Sequence, residues 1–394
     1  MNWKENNIAG CRNIITIMLV LVAIAGQAQI HYRLEGNIGN TEFSGKMMVR
    51  DWSSNEILDS INIINGKIEP IEGTIPDCTI CILQGGSQPP IYPVFLGGGT
   101  THIENVSIML GFSPMQSGTP LCDDYAKYLS VVQQAKRETM MRKLSGEKRE
   151  FNTKLKAETS LRISNMAKDI ITRHHSDVLG WYLLFVDAQN YIQPTDWLAL
   201  AEKMEPWLKE KSMFKTYEHQ KSIMEAAAQT SVGCKFVDVE TEVDGKTIRL
   251  SDYVGRGNYV VVDYWGSTCA PCIAEFPIFK QIHQQYASRG LTVLGVPNDK
   301  DIKKSRMAIE KYQLPYPQLL NTQDKFAKAY GIASMPLTIV FAPDGTIIAR
   351  GLNTDELKAK INEIFPDNKY FFEHKNHRTN EKNSFISCPP CSKK

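Results

Sequence analysis

The chain has 394 residues, enough for two or three domains with a substantial core, and its charges almost cancel at a formal +2. No Lys/Arg cluster is large enough to suggest a nucleic-acid footprint, so the composition is that of an ordinary soluble protein, and partners must be argued from local sites.

The first 28 residues place Lys4 and Arg12 ahead of an apolar stretch from Ile14 to Ala25, followed by the small-x-small step Gly26-Gln27-Ala28. That is the layout of a secretory signal, with cleavage expected after Ala28. Roughly twelve apolar residues fall short of the ~20 that span a bilayer. No cysteine directly follows the stretch to carry a lipid anchor. The expected destination is the periplasm or cell envelope, where disulfides persist. Nine cysteines less Cys11 leaves eight in the mature chain, an even number that permits full pairing without demonstrating it.

Residues 29–115 are strand-like, with short alternating or apolar runs between Gly, Asn and Pro breaks and a hairpin signal at Asn65-Gly66-Lys67. They are expected to form a small β-sandwich. Residues 116–230 switch to long charged segments with helical spacing, a helical middle region. His174 and His175 lie there side by side, and neighbours on a helix point about 100° apart, so they do not form a metal pair.

From residue 231 strands and helices alternate. The run "YVVVDYW" from Tyr259 to Trp265 is continuously apolar apart from Asp263, as for a buried parallel strand. A helix, the strand "LTVLGVP", two further helices, a hairpin turning at Pro343-Asp344-Gly345 and a last helix capped by Thr354 complete an α/β order over residues 231–366. Residues 367–394 are polar and are expected to be a disordered tail.

Three C-x-x-C spacings occur: Cys78/Cys81, Cys269/Cys272 and Cys388/Cys391. A disulfide needs Cα atoms within about 7 Å. In a strand, residues i and i+3 lie about 10 Å apart on opposite faces, so Cys78 and Cys81 do not bridge each other if "CTICIL" is extended. Pro389 and Pro390 favour polyproline II, which holds Cys388 and Cys391 about 9 Å apart. Cys269 and Cys272 differ because a strand ends near Trp265 and a helix begins near Ala270 or Pro271, where proline costs nothing. Across that first turn the two are about 5–6 Å apart, inside disulfide range. Cys269 then sits at the helix N-terminus, where free N–H groups favour a thiolate. A lower thiol pKa raises attack only a few-fold, because nucleophilicity falls with it. The same low pKa makes Cys269 the better leaving group when a thiol attacks the substrate sulfur of a mixed disulfide.

"VVDYWGSTCAPCIAEFP" together with "SMPLTIVFAPDG" resembles a thioredoxin-fold protein of the exported TlpA/ResA-type thiol-disulfide oxidoreductases. The resemblance covers residues 231–366. It implies that Cys269 is the exposed nucleophile and Cys272 the buried resolving cysteine, a redox-active disulfide when oxidised. Asp263 corresponds to a buried carboxylate beneath the dithiol, suited to take the Cys272 proton. Glu275 corresponds to the acidic residue of a C-x-x-C-x-x-E-x-P signature, and Pro277 to its helix-kinking proline. Met335-Pro336 corresponds to a cis-proline loop facing the dithiol. Substrate would lie against Thr268, Met335, Pro336 and Trp265. Thr268 stands where tryptophan is usual and Met335 where a β-branched or small residue is commoner, so substrate identity stays open.

The strand-rich segment resembles a β domain that precedes such modules in exported proteins of Bacteroidota; it brings no catalytic residues. The resemblance implies disulfide exchange with exported proteins, apocytochrome c among the candidates, with a membrane thiol-transfer protein as electron donor and neither metal nor organic cofactor. Proline at position 271 is shared with reducing members. A peroxidase of the same fold is the weaker alternative, since its P-x-x-x-T-x-x-C pattern is absent around Cys269. A scaffold without catalysis would not need Cys269, Cys272, Asp263, Glu275 and Pro336 together.

Overall fold

The computed structural model of the chain describes residues 29–86, 89–107, 113–145, 149–210 and 217–366. The expected signal and the tail with Cys388 and Cys391 lie outside the described residues. Among the described residues, no helix is long and apolar enough to cross a membrane. Two units divide the chain, Met1–Tyr217 and Glu218–Lys394.

The first unit contains strands β1 (Ile30–Asn37), β2 (Gly45–Asp51), β3 (Ile57–Ile64), β4 (Lys67–Ile75), β5 (Thr79–Gln84), β6 (Ile91–Leu96), β7 (Gly99–Ser107) and β8 (Ser113–Ser117). Helices α1 (Pro120–Leu144), α2 (Arg149–Arg173), α3 (Val178–Tyr182), α4 (Pro194–Lys203) and α5 (Pro206–Glu210) follow. Alternate side chains turn inward, as the period of a strand requires: Tyr32 and Leu34, Met47 and Val49, Ile61 and Ile63 share one core. Asn65 and Gly66 take positive φ values of 52° and 77° and close the expected hairpin, with Ile63 opposite Ile68.

The expected β-sandwich is not what forms. All eight strands belong to one sheet, in the order β6-β5-β2-β3-β4-β1-β7-β8. The sheet curls until its two edge strands meet, a near-barrel. Gln116 on β8 joins those edges: the Phe95 N–H donates to its Oε1 at 3.0 Å, and its Nε2 donates to the Pro93 carbonyl at 2.9 Å. Two packed sheets and one curled sheet bury the same alternate residues, so alternation alone could not separate them.

The helices of this unit cover part of the sheet. Phe95 meets Tyr125 and Tyr182 edge-on at 5.1 and 5.7 Å, and Trp52 meets Trp181 and Tyr182 at 5.8 and 5.6 Å. His174, just past α2, is 7% exposed and ties three helices. Its Nε2 lies 3.0 Å from Asp124 on α1, and its Nδ1 lies 2.6 Å from Asp177, whose other oxygen accepts from the Leu179 N–H to cap α3. Arg173 and Lys127 also reach Asp124.

The second unit contains α6 (Tyr217–Gln229), all but whose first residue it includes, then β9 (Glu240–Val243), β10 (Lys246–Arg249), β11 (Tyr259–Trp265), α7 (Ala270–Tyr286), β12 (Leu291–Pro297), α8 (Ile302–Tyr312), α9 (Lys325–Tyr330), β13 (Leu337–Phe341), β14 (Ile347–Arg350) and α10 (Thr354–Ile364). Its main sheet runs β12-β11-β13-β14, with β11 parallel to β12 and antiparallel to β13. The helix α6, grouped by its sequence with the helical middle region, packs in this unit instead. Gly331 (φ 57°) lies against Ile223 and Ala227, where a Cβ would fall 2.2 Å from the Ile223 carbonyl oxygen. Thr230, just past α6, donates through Oγ1 to the Tyr330 carbonyl and accepts from Arg350.

Burial acts to lower the pKa of His174, but its bonds to Asp177 and Asp124 outweigh that and hold it above the ordinary imidazole value. A raised folded pKa stabilises fully below the unfolded value of about 6.5, and the gain disappears as pH rises through the folded value. Denaturant unfolding should therefore show His174→Asn less stable than the parent by about 1–3 kcal/mol at pH 6. The gap should narrow above neutrality; a pH-independent gap would rule out an imidazolium.

Candidate active site

The strand β11 is buried on both faces, which accounts for its unbroken apolar run. Val260, Val262 and Tyr264 face one core with Phe326 and Tyr330. Val261 and Trp265 face the other, with Cys272 and Phe276 of α7. Asp263 falls between them by alternation, so its carboxyl lies on the face that α7 covers.

The chain leaves β11, turns through Gly266-Ser267-Thr268 and enters α7 at Ala270. Cys269 is the N-cap: its backbone is extended (φ −82°, ψ 96°), and its Sγ accepts from the Cys272 N–H at 3.3 Å. Pro271 occupies the first turn, and Pro277 lies inside the helix. The Cys269 and Cys272 Cα atoms are 5.3 Å apart and a disulfide joins the two residues. Cys272 is fully buried, while Cys269 is half-buried with exposed neighbours Thr268, Ala270 and Pro271. Only one sulfur of the pair is therefore open to a large partner, and it is the one at the helix N-terminus, where unpaired N–H groups favour negative charge.

Asp263 is 1% exposed, and burial pushes its pKa up to about 8; Tyr316 opposes that shift and the charge of Glu275 adds to it. The Tyr316 hydroxyl donates to Asp263 Oδ2 at 3.1 Å. Glu275, one turn beyond Cys272 on α7, is half-buried, and burial raises its pKa too. Thr354 Oγ1 donates to Glu275 Oε1 at 3.3 Å. Thr354 is not the cap of α10 expected from the sequence: Asn353 is, accepting from the Asp355 and Glu356 N–H groups at 3.0 Å each. One residue's shift frees the threonine hydroxyl for the carboxylate.

The loop ahead of Cys269 is pinned from β12's end. Asp299 accepts from the Ser267 N–H at 3.2 Å, from Ser267 Oγ at 2.7 Å and from buried Ser305 Oγ at 2.8 Å. Asp299, Ser267, Ser305, Tyr316 and Thr354 were all missed by sequence reasoning.

The peptide bond Met335-Pro336 is cis. Met335 comes to the site from β13's side: a Cβ on Gly266 would fall 2.9 Å from its Sδ and 3.8 Å from Cys269 Cβ. Thr268 is exposed and Met335 and Pro336 are half-buried, and Met335 packs on the same core as Cys269. Trp265 does not join them, contrary to expectation. It is 0% exposed, packs edge-on to Phe276 at 5.2 Å and donates through Nε1 to Gln318 Oε1 at 3.1 Å. An inward-facing residue at the end of a doubly covered strand has no surface left for a substrate.

Cys78, Cys81, Cys122 and Cys234 carry no disulfide. Burial pushes the Cys78 and Cys81 thiols up, away from thiolate chemistry. Among the described residues no group of three or more His, Cys, Asp or Glu is placed to hold a metal ion.

Residues 232–350 match the AhpC/TSA family. The thiol-disulfide oxidoreductase ResA of Oceanobacillus iheyensis is 31% identical over 131 residues, 32% of this chain and 67% of that protein. The protein of the same name in Bacillus thuringiensis subsp. konkukian is 28% identical over 131 residues, 32% of this chain and 75% of that protein. Among solved structures, the thioredoxin domain of a thiol-disulfide oxidoreductase from Bacteroides vulgatus is 27% identical with a TM-score of 0.30, covering 34% of this chain and 96% of that one. A thiol-disulfide oxidoreductase from Bacteroides fragilis is 25% identical with a TM-score of 0.30, covering 34% and 99%.

An aspartate whose folded pKa is raised binds its proton more tightly when folded, so its contribution to stability is largest below the unfolded value of about 3.9 and is lost as pH rises towards about 8. Asp263→Asn should therefore be more stable than the parent by about 2–5 kcal/mol near pH 8, with the difference shrinking towards pH 4. Thermal or denaturant unfolding across that range measures it; equal pH slopes for the two proteins would mean Asp263 is ionised in the fold.

Proposed function

The chain belongs to the ResA-type thiol-disulfide oxidoreductases, and from that premise we propose that it is a periplasmic disulfide reductase that exchanges disulfides with exported proteins through Cys269 and Cys272. The observation that carries this reading is the asymmetry of the disulfide: a half-buried Cys269 capping α7 and a fully buried Cys272 one turn on.

In the reduced protein the Cys269 thiolate attacks a substrate disulfide, and the first substrate sulfur leaves as a thiolate. Cys269 is then joined to substrate in a mixed disulfide. Cys272 gives its proton to a base, attacks Cys269 Sγ and expels the second substrate thiolate. Two electrons pass to the substrate and the Cys269–Cys272 disulfide remains. Asp263 is the base in this reading, supported by its burial on the α7 face; Glu275 is the second carboxylate near it. A base with a pKa near neutrality can both accept the Cys272 proton and return it when the disulfide is reduced again.

Thr268, Met335 and Pro336 form the surface on which an extended substrate would lie beside Cys269. A main-chain contact at residue 335 suits many sequences, with side-chain preference left to Thr268 and Met335. The substrates this fits are exported proteins with exposed disulfides, apocytochrome c among them, and the electron donor is a membrane thiol-transfer protein. The leader over residues 1–28 supplies the route to that compartment.

Cys272→Ser should trap mixed disulfides through Cys269 when expressed with its leader, visible as bands that collapse on reduction, while Cys269→Ser should trap none. The purified parent should reduce insulin in the presence of dithiothreitol, and its potential should lie near about −270 mV, not near about −120 mV. Absence of both adducts and insulin reduction would overturn the enzyme reading.

A further inference from the structure

On β12, Gly295 stands directly opposite Asp263 on β11. Outside β12, the chain from Tyr316 to Leu319 runs alongside: the Gly295 N–H donates to the Pro317 carbonyl at 2.9 Å, and the Leu319 N–H donates to the Gly295 carbonyl at 2.8 Å. Tyr316 and Gln318 therefore point to one face, the face shared by Asp263 and Trp265. Both reach across β12 at its glycine. Tyr316 donates to Asp263 Oδ2, and Gln318 accepts from Trp265 Nε1. A Cβ on Gly295 would fall 2.0 Å from Gln318 Oε1, so the missing side chain is what leaves the passage open.

From this arrangement we propose that Tyr316 is a positioning residue for disulfide exchange, its hydroxyl holding the Asp263 carboxylate in place to take the proton of Cys272. The proposal rests on the dithiol reading above. A buried carboxylate with no donor would be free to rotate and would hold its proton more tightly; one phenol O–H supplies a donor in a site where water has no access. Tyr316 is itself 3% exposed, and burial raises its ionisation well above the ordinary phenol value, so it stays a donor at working pH. Its backbone carbonyl accepts from Gln318 Nε2 at 3.3 Å, which ties the tyrosine to the residue holding Trp265.

The groups facing this pair are known from each side. Glu275 and the Cys272 sulfur come from α7, and the charge of Glu275 opposes ionisation of Asp263. The ring of His283, also on α7, lies 6.1 Å from that of Tyr316. In the step itself, the Cys272 S–H bond breaks and its proton passes to Asp263. The Cys272 sulfur bonds to Cys269 Sγ, and the bond from Cys269 to the substrate sulfur breaks with its electron pair leaving on the substrate. Tyr316 keeps its own proton throughout.

The test is the pH profile of single-turnover substrate reduction by the pre-reduced protein. In Tyr316→Phe the rising limb should move to higher pH by about one unit, and the rate at pH 7 should fall about tenfold. In the Asp263→Asn background the same change should have no effect. Should Tyr316→Phe not fold, 3-fluorotyrosine placed at 316 keeps the size and strengthens the donor, and the limb should then move to lower pH. Superimposed profiles for parent and Tyr316→Phe, or for parent and the fluorotyrosine protein, would overturn the proposal, as would a further loss on adding Tyr316→Phe to Asp263→Asn. These outcomes leave the dithiol reading standing, because it fails only if the parent itself forms no mixed disulfide and shows no turnover.

Discussion

The second unit depends on burying a carboxylate in the middle of an otherwise apolar strand. Asp263 sits on a strand covered on both faces, opposite a glycine on one side and Thr338 on the other, with a phenol as its hydrogen-bond donor. Burying a carboxyl in this way costs stability, and in a structural core an apolar residue would serve better. What the cost provides is a carboxyl whose pKa is displaced up to about 8, on the face covered by the helix that carries Cys272.

The other parts of the site follow from that arrangement. Leaving β11 at Trp265, the chain needs only a short turn to start α7, so Cys269 becomes both the cap of the helix and the outer sulfur of the pair. The same turn is fastened by Asp299 through Ser267, which keeps Cys269 from drifting with the loop. Burial gives the two sulfurs different access to solvent even though they sit one turn apart. Trp265, which reads as a surface aromatic next to an active-site loop, is instead consumed by the core that holds the helix down.

Much of this site was legible in the sequence because its parts are local. A strand-like run ending two residues before "STCAPC", with proline in the first helical turn, is enough to bring Cys269 and Cys272 within bonding distance. Asp263 stood out as the one charge in an apolar run. Tyr316, Asp299, Ser305 and Thr354 were not legible, since each reaches the site from a distant segment and nothing in its own neighbourhood says so. Thr354 shows how fine the margin is: one position decides whether a hydroxyl caps a helix or binds Glu275. In the first unit the same distinction holds. The Asn65-Gly66 turn formed where it was expected, whereas the pairing order that makes one curled sheet, closed by Gln116, was not foreseen.

What the sequence by itself determined is therefore what the backbone can settle over a few residues: the period of the strands, the turn at Asn65, the strand-to-helix junction and the spacing of its two cysteines. What only the tertiary structure decided is which side chains from distant segments converge: Tyr316 over Gly295 onto Asp263, Gln318 onto Trp265, Gln116 between β6 and β8. The physical reason is that local geometry is fixed by bonded and near-neighbour sterics, while convergence depends on packing and hydrogen bonds between segments whose separation along the chain carries no information about their distance in space.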